Sequence, residues 1–226
     1  MSYMWQDFNI KPFDAETIVY RDGVFCSELS TIESGKIEKH YQKPIHIIYV
    51  GEIDGINRLK IDLDIANQNV FLSVNIKNNL PAFFNIFIKN TGKNSKICGH
   101  IFLDNHATLT YDCTAHHASA NTGILLQNKL VANRGSISKL LGTAIIDKNC
   151  ENCESDINFS ALATPDAKIT FLPAQKIHSV PLRADHGASI YSPKPIQIQY
   201  LRAAGLGTIE INDVMRAAFM NDFSLF

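Results

Sequence analysis

Apolar and polar residues alternate along most of the chain between residues 59 and 182. The alternation is clearest at 59–65, 72–76 and 109–113, where every second residue is apolar. A period of two with β-branched and aromatic residues is the signal of a β-strand. No window here keeps an apolar period of 3.6 residues long enough to predict a helix. This part of the chain is therefore predicted to be all-β.

Asparagine marks the turns between these strands. Sixteen of the nineteen Asn residues lie between Asn57 and Asn158, and Asn suits tight turns because it tolerates the left-handed backbone conformation. Short strands joined by such turns indicate a barrel, a sandwich or a β-solenoid. Strand starts recur every ~10–15 residues, which is too irregular for a tandem hexapeptide repeat but fits a solenoid of imperfect coils. The pattern alone leaves the choice open.

The two ends of the chain have other patterns. Residues 18–25 are predicted to form a hairpin around Asp22-Gly23, and 34–36 a loop. After Ser192 the strands stop, and Pro195 suits the first turn of a helix that Gly205 would end. A second helix is predicted from about Thr208 to Met220. The apolar residues of these two helices are Ile196, Tyr200, Leu201, Ala204, Ile211, Val214, Met215 and Phe219.

Composition limits the possible functions. The chain has 226 residues, of which 46% are hydrophobic, so one well-packed domain is expected. A net charge of −1 argues against a nucleic-acid partner, which needs a basic face. No apolar run approaches the roughly 18 residues that span a bilayer, and the N-terminus does not resemble a signal peptide. We expect a cytoplasmic protein with no membrane partner.

Five cysteines are present, and only Cys150 and Cys153 are close in sequence. Without an export signal, a disulfide framework is not expected. A structural zinc site would need two further ligands at matching spacing, and a thioredoxin-type motif would need a βαβ unit. Two buried, inert thiols are the simplest interpretation. A functional thiol remains an alternative.

Histidines offer a second set of candidates. His116 and His117 are adjacent, so on a strand they point to opposite faces and are predicted to be structural or surface residues. His186 lies between Asp185 and Gly187 and is predicted to sit in a turn. It is either hydrogen-bonded to Asp185 or the backbone, or it is a metal ligand.

Three segments near the C-terminus carry a family resemblance. Residues 183–189 read Arg-Ala-Asp-His-Gly-Ala-Ser, residues 200–206 read Tyr-Leu-Arg-Ala-Ala-Gly-Leu, and Ala218-Phe219 closes the second helix. In this order and spacing they resemble the C-terminal signature of the SufB/SufD family of scaffolds for iron–sulfur cluster assembly. The resemblance covers roughly residues 120–220, as judged from these motifs.

The resemblance implies a fold and a domain organisation. Family members have a right-handed parallel β-helix core, so it implies a β-solenoid with a short C-terminal helical hairpin. The expected divisions are an N-terminal segment at 1–44, which is reduced relative to the family, a β-helix core at 45–190 and the helical hairpin at 191–226. The implied function is that of a non-enzymatic, SufD-like scaffold subunit.

The resemblance also implies a site for a transient iron–sulfur cluster that is not retained on purification. Cys153, followed by Glu154 and Ser155, resembles the cluster-holding cysteine of the SufB branch. His186 matches the functional histidine of the SufD branch. SufD proteins often have Cys where this chain has Ala184. Gly187 favours the SufD branch, because SufB proteins usually have an acidic residue there.

Two kinds of partner follow from the resemblance. A SufC-type ATPase is expected at the C-terminal helices, through Tyr200, Leu201, Val214 and Phe219. A SufB-type subunit or a second copy of this chain is expected at the β-helix edge, and Cys153 and His186 are expected near it. The alternative function is a carbohydrate-active enzyme or binding module with a β-helix or β-sandwich fold. Such an enzyme would normally show a carboxylate cluster and a cation site, and neither pattern is visible.

Overall fold

The computed structural model describes residues 16–22, 24–30, 45–53, 58–66 and 68–221. The loop predicted at 34–36 lies outside them. The described strands are β1 (Glu16–Arg21), β2 (Val24–Phe25), β3 (Ile45–Ile53), β4 (Arg58–Ile65), β5 (Val70–Asn78), β6 (Ala82–Asn90), β7 (Lys96–Asn105), β8 (Thr108–His117), β9 (Gly123–Ala132), β10 (Ile137–Ile146), β11 (Glu154–Ala163), β12 (Lys168–Ile177) and β13 (Arg183–Tyr191). Two helices follow, α1 (Pro195–Ala203) and α2 (Thr208–Asn221).

The strands form two sheets that the chain visits in turn. The larger sheet has the order β13-β11-β9-β7-β5-β3-β1-β2, and the smaller sheet has the order β12-β10-β8-β6-β4. Every pairing except the β1–β2 hairpin is parallel. The result is a β-solenoid of about five turns. The predicted β-solenoid is confirmed, and the antiparallel sandwich that the strand pattern had left open is excluded.

Successive coils stack residue on residue. Paired positions lie 25 to 31 residues apart in the chain, as for Glu52 with Lys77 and Gly123 with Glu154 at these two limits. Because side chains alternate across a strand, each inward position meets the same position of the next coil. One inward row runs from Leu72 through Gly99, Leu126 and Ile157 to His186. The apolar alternation predicted for β4, β5 and β8 produces this buried interior.

Aromatic rings fill the middle of the solenoid. Phe84 and Tyr111, on neighbouring coils of the smaller sheet, stack with their centroids 5.1 Å apart. Phe159 bridges the two sheets by contacting Tyr111 and Phe171 at 6.2 and 5.6 Å. The Tyr111 hydroxyl donates to Asn128 Oδ1 at 2.7 Å, so this buried polar group is satisfied.

The predicted N-terminal hairpin is confirmed. Tyr20 pairs with Phe25 and Arg21 with Val24, and Asp22 adopts a φ of 51° at the turn between them. Strand β1 also pairs in parallel with β3. The larger sheet therefore extends to Glu16, before the expected core boundary at residue 45.

Both predicted C-terminal helices are present. Pro195 begins α1, and Gly205 follows its end with a φ of 90°. The Gly205 N–H donates to Arg202 O and the Leu206 N–H to Leu201 O, which is the Schellman pattern of a helix end. Neither these helices nor any other described helix is long and apolar enough to cross a membrane.

The second helix packs on the outer face of the larger sheet. Phe219 and Met220 contact an apolar patch made by Phe102, Val131 and Leu162. Around this patch, Arg216 pairs with Asp104 at 2.8 Å, and Lys129 Nζ donates to the Phe219 carbonyl at 2.6 Å. These contacts fix the hairpin to the solenoid.

Candidate functional site

The turns from the smaller to the larger sheet stack at one corner of the solenoid. Three of them, at 91–95, 118–122 and 178–182, have five residues, whereas the turn at 147–153 has seven. The longer turn contains both Cys150 and Cys153. Asn149 and Asn152 adopt the left-handed conformation there, with φ of 64° and 56°, as expected for Asn in tight turns.

Cys153 is buried and lies against Thr122 of the preceding coil. Its Sγ is 3.3 Å from Thr122 Oγ1 and 3.3 Å from the Ser119 carbonyl. The Thr122 hydroxyl is also 2.8 Å from His117 Nδ1 and 3.0 Å from Ser119 O. A thiol, a hydroxyl and an imidazole thus form a continuous polar contact. We call Cys150, Cys153, Thr122 and His117 the thiol corner.

His117 is buried within this corner. Burial, with a smaller contribution from the charge of His116, lowers the pKa of His117 from 6.5 to about 4. Its Nε2 atom is buried and has no hydrogen-bond partner among the described residues. His116 points the other way and contacts Asp147 Oδ2 at 2.8 Å. The two histidines therefore face opposite sides of β8.

The preceding coil shows what this corner needs for structure alone. Asn90 and Ser95 occupy the positions of His117 and Thr122 in the register. The Ser95 hydroxyl contacts Asn90 Oδ1 and the Gly92 carbonyl, and Asn90 Nδ2 donates to Ser95 O. A polar pair at this position closes the five-residue turn. The His117–Thr122 pair occupies the same place and in addition contacts the Cys153 thiol.

Cys150 is the second thiol of the corner. Cys150, Cys153 and Ile146 form one buried cluster, against which Ala184 packs. Burial raises the pKa of the Cys150 thiol, and the charges of Cys153 and Asp147 raise it further. Ala184, which the family resemblance aligns with a Cys of the SufD branch, thus lies beside two thiols.

His186 lies in strand β13, and the predicted turn at this residue is wrong. The segment pairs residue by residue with β11, so His186 stands opposite Ile157 in extended backbone. Neither ring nitrogen is accessible or hydrogen-bonded among the described residues. Burial lowers the pKa of His186, although the nearby charges of Asp156 and Asp185 oppose this effect.

The outer side of the same strand carries charge. Arg183 contacts Asp156 Oδ2 at 3.2 Å and Asp185 Oδ2 at 2.6 Å. Burial raises the pKa of Asp156, and the Arg183 charge opposes that shift. Gly187 lies against the Asn158 side chain, which occupies the space that a Cβ would need.

Cys153 and His186 lie in the last coils but do not touch. The Cys153 carbonyl accepts from Leu182 and Arg183, whereas His186 pairs with Ile157, four residues beyond Cys153. At a rise of about 3.3 Å per residue, this offset is roughly 13 Å along the strand. A single metal ion could not contact both side chains. In the part of the chain that the structure describes, no three His, Cys, Asp or Glu side chains are arranged to hold a metal.

The four candidate partner residues have different environments. Tyr200 and Val214 are exposed and Leu201 is half-buried. Phe219 instead packs against the larger sheet, beneath Lys129 at 5.1 Å from its ring centroid. Phe219 therefore anchors the hairpin, and the accessible apolar surface lies on the other residues.

Fold and site together define a β-solenoid with buried thiols and imidazoles in its last coils. The family model described as "SUF system FeS cluster assembly, SufBD core domain" matches residues 72–219. The chain therefore belongs to the SufB/SufD family. Membership supports a role in iron–sulfur cluster assembly and implies protein partners of the Suf system. No curated protein gives a significant match.

Sequence reasoning missed Thr122 and the contact of His117 with the thiol. Both residues lie one coil before Cys153, at a separation of 31 residues for Thr122. Two successive coils each have a pair of polar residues that are five positions apart and in contact, Asn90 with Ser95 and His117 with Thr122. That repeat is a signal in the sequence, but the two extra residues of the next turn break it.

Proposed function

We propose that this chain is a SufD-like scaffold subunit, not an enzyme, on which a transient iron–sulfur cluster is assembled. The observation that carries the proposal is the open C-terminal end of the solenoid. Strands β12 and β13 are the last of their sheets, and both Cys153 and His186 lie in these last coils. A second β-helix joined there would place its own ligands beside them.

The open end exposes apolar side chains, which supports the proposal of an interface there. Ile190 occupies the inward position that Ala161 occupies in β11, yet Ile190 is exposed and Ala161 is fully buried. Other exposed apolar residues near this end are Leu172, Ile177, Val180 and Leu182. Edge strands offer unpaired N–H and C=O groups, so another sheet can continue across them. A SufB-type subunit is the proposed occupant, with a second copy as the homodimeric equivalent.

The proposed cluster ligands are Cys153 and His186. Thiolates are the usual ligands of iron–sulfur clusters, and imidazoles replace some of them in Rieske centres. Because the two side chains are separated along the strand within one chain, they would serve the cluster together with groups from the partner. Cys153 should contribute more to cluster binding than His186, because thiolates are the usual ligands of such clusters.

The helical hairpin is the proposed docking site for a SufC-type ATPase. Tyr200 and Val214 are exposed on α1 and α2, while Phe219 holds α2 on the sheet. Val214→Ala and Tyr200→Ala should therefore weaken ATPase capture without changing the fold. Phe219→Ala should weaken capture indirectly, with faster amide exchange in residues 208–221. Unaltered capture by the Tyr200→Ala/Val214→Ala double variant would contradict this docking site.

Anaerobic reconstitution with ferrous iron and inorganic sulfide, in the presence of the Suf partners, tests the cluster site. We expect the wild type to hold iron and sulfide, Cys153→Ala to lose most of both, and His186→Ala to lose part. Cys113→Ala removes an equally buried thiol of the core and is the matched control. Equal iron and sulfide in all four proteins would contradict the assignment of these ligands.

A further inference from the structure

The turn at 147–153 carries a second thiol that the solenoid itself does not need. The turns at 91–95, 118–122 and 178–182 close with five residues, whereas this turn has two more and places Cys150 in one buried cluster with Cys153. In the preceding coils the corresponding turns contain no cysteine. The insertion therefore converts a single thiol into a pair.

We propose that Cys150 and Cys153 act as a dithiol that releases sulfide from a sulfane-sulfur donor. The use of this sulfide in the cell rests on the function proposed above, because cluster assembly consumes sulfide. The chemical class of the substrate is a persulfide or thiosulfonate, in which one sulfur atom is at the oxidation level of elemental sulfur. The chemistry itself needs only the two thiols.

The structure gives the two thiols different environments. Cys153 Sγ is held by Thr122 and Ser119 of the preceding coil. Cys150 lies in the middle of the turn, between exposed residues such as Asn149 and Glu151, and its Sγ has a contact of 3.8 Å with the Lys148 carbonyl. We therefore assign Cys150 as the acceptor. Its side chain is 3% exposed, so the turn must open for the donor to reach it. Cys153 is the resolving thiol.

The reaction balances in two steps. In the first, the Cys150 sulfur attacks the sulfane sulfur of a thiosulfonate. The bond between the sulfane sulfur and the sulfonyl sulfur breaks, a sulfinate leaves, and Cys150 becomes a persulfide. In the second, the Cys153 thiol attacks the inner sulfur of this persulfide, and the outer sulfur leaves with two protons as H2S. The sulfane sulfur gains two electrons, and the two cysteine sulfurs lose them as a disulfide forms. A thiol reductant then restores both thiols.

One consequence concerns the order of events. A Cys153 that is part of a disulfide cannot be a thiolate ligand of iron. Sulfide release and iron binding at Cys153 must therefore be consecutive, with a reduction step between them.

The direct test uses the reduced chain and benzenethiosulfonate, anaerobically and without added reductant. We expect about one H2S per chain and a mass loss of about 2 Da on the peptide that links Cys150 and Cys153. No sulfide and an unchanged mass would overturn the proposal, as would a persulfide that persists on the wild type. This measurement needs no variant.

Variants assign the two roles. In Cys153→Ala, Cys150 should retain the added sulfur, a gain of about 32 Da, and no H2S should form. In Cys150→Ala, neither sulfur uptake nor H2S release should occur. Cys113→Ala should behave as the wild type. Sulfide release by either single variant at the wild-type yield would overturn the dithiol mechanism.

The sulfur source separates this proposal from the cluster assignment. With inorganic sulfide, the release step is bypassed, so Cys150→Ala should assemble as much cluster as the wild type while Cys153→Ala fails. With benzenethiosulfonate and ferrous iron followed by a thiol-free reductant, Cys150→Ala should fail as well. Loss of cluster with intact H2S release would contradict only the proposed function. Loss of H2S release with an intact sulfide-fed cluster would contradict only the dithiol.

Discussion

At the residue scale, the most unusual group is the buried imidazole of His117. It contacts Thr122, and its Nε2 atom is without a partner among the described residues. A buried polar atom that is unsatisfied costs about 1–3 kcal/mol. The equivalent Asn90 in the preceding coil closes the same turn with both its side-chain oxygen and its side-chain nitrogen bonded. The turn therefore does not require an imidazole, and His117 is free to serve a role beside the thiol.

His117 should make the stability of the fold depend on pH. Its pKa is about 4 in the folded chain against an ordinary value of 6.5, so the unfolded chain binds more protons between these values. The free energy of unfolding should be unaffected above pH 6.5 and should fall as the pH drops towards 4, by about 3 kcal/mol at most. The free energy of unfolding, measured by urea denaturation at pH 4.5–7.5, should depend less steeply on pH for His117→Asn than for the wild type.

The control for this prediction is Thr122→Val, which removes the partner hydroxyl but keeps the imidazole buried. It should lower stability at every pH and retain the wild-type slope. His46, His100 and His186 also have pKa values lowered by burial, but they are common to all three proteins. Identical slopes for the wild type and His117→Asn would contradict the prediction.

At the element scale, α2 is attached to the solenoid by a buried carboxylate. The Asp104 side chain is 2% exposed and contacts Arg216 at 2.8 Å, and it also contacts His106 and Asn133. The Arg216 guanidinium further lies over the Phe102 ring at 5.6 Å. Removing one partner of a buried ion pair is strongly destabilising, because a charge remains without compensation. The docking of α2 thus depends on a polar contact as well as on Phe219.

Arg216→Ala should destabilise the chain by about 1–3 kcal/mol, less than for an isolated buried charge because Asp104 keeps two partners. It should also speed amide exchange across residues 208–221. Arg134→Ala is the matched control, since the Arg134–Asp166 pair is 83% and 71% exposed. Its effect should stay within about 0.5 kcal/mol. Chemical denaturation of both variants decides the matter, and equal losses would show that the Arg216 contact contributes no more than a surface pair.

Elements were more predictable than the contacts between them. The period of two in 72–76 and 109–113 predicts β5 and β8, since inward residues such as Leu72 and Tyr111 must be buried. Pro195 and Gly205 likewise mark the ends of α1. The contact of Thr122 with Cys153 was not predictable, because it depends on the coil register and the turn lengths vary. The strand position of His186 was missed because Gly187 suggested a turn.

At the scale of the whole molecule, the last coil of the solenoid leaves apolar side chains exposed in the part of the chain that the structure describes. Each coil of a repeat fold covers the one before it, so terminal coils expose an apolar face unless a capping element or a partner covers it. In the described structure, Ile190 continues the inward row of Ala161 but remains exposed. The resemblance to the family made a partner at this edge an expectation. Leu182 and Ile190 are exposed apolar residues that a partner at this end would cover.

We expect the chain to self-associate through this end when Suf partners are absent. Leu182 is 67% exposed and Ile190 is 52% exposed, beside the unpaired edge of β13, and a second copy offers the same apolar row and edge. Light scattering coupled to size exclusion should show a dimer that dissociates on dilution, and Leu182→Lys/Ile190→Lys should be monomeric with an unchanged β signal in circular dichroism. Leu80→Lys, which adds the same charge at an exposed apolar position in another turn, should still dimerise. A wild type that remains monomeric at high concentration would contradict this expectation, because a row of exposed apolar side chains at a free sheet edge should then have associated.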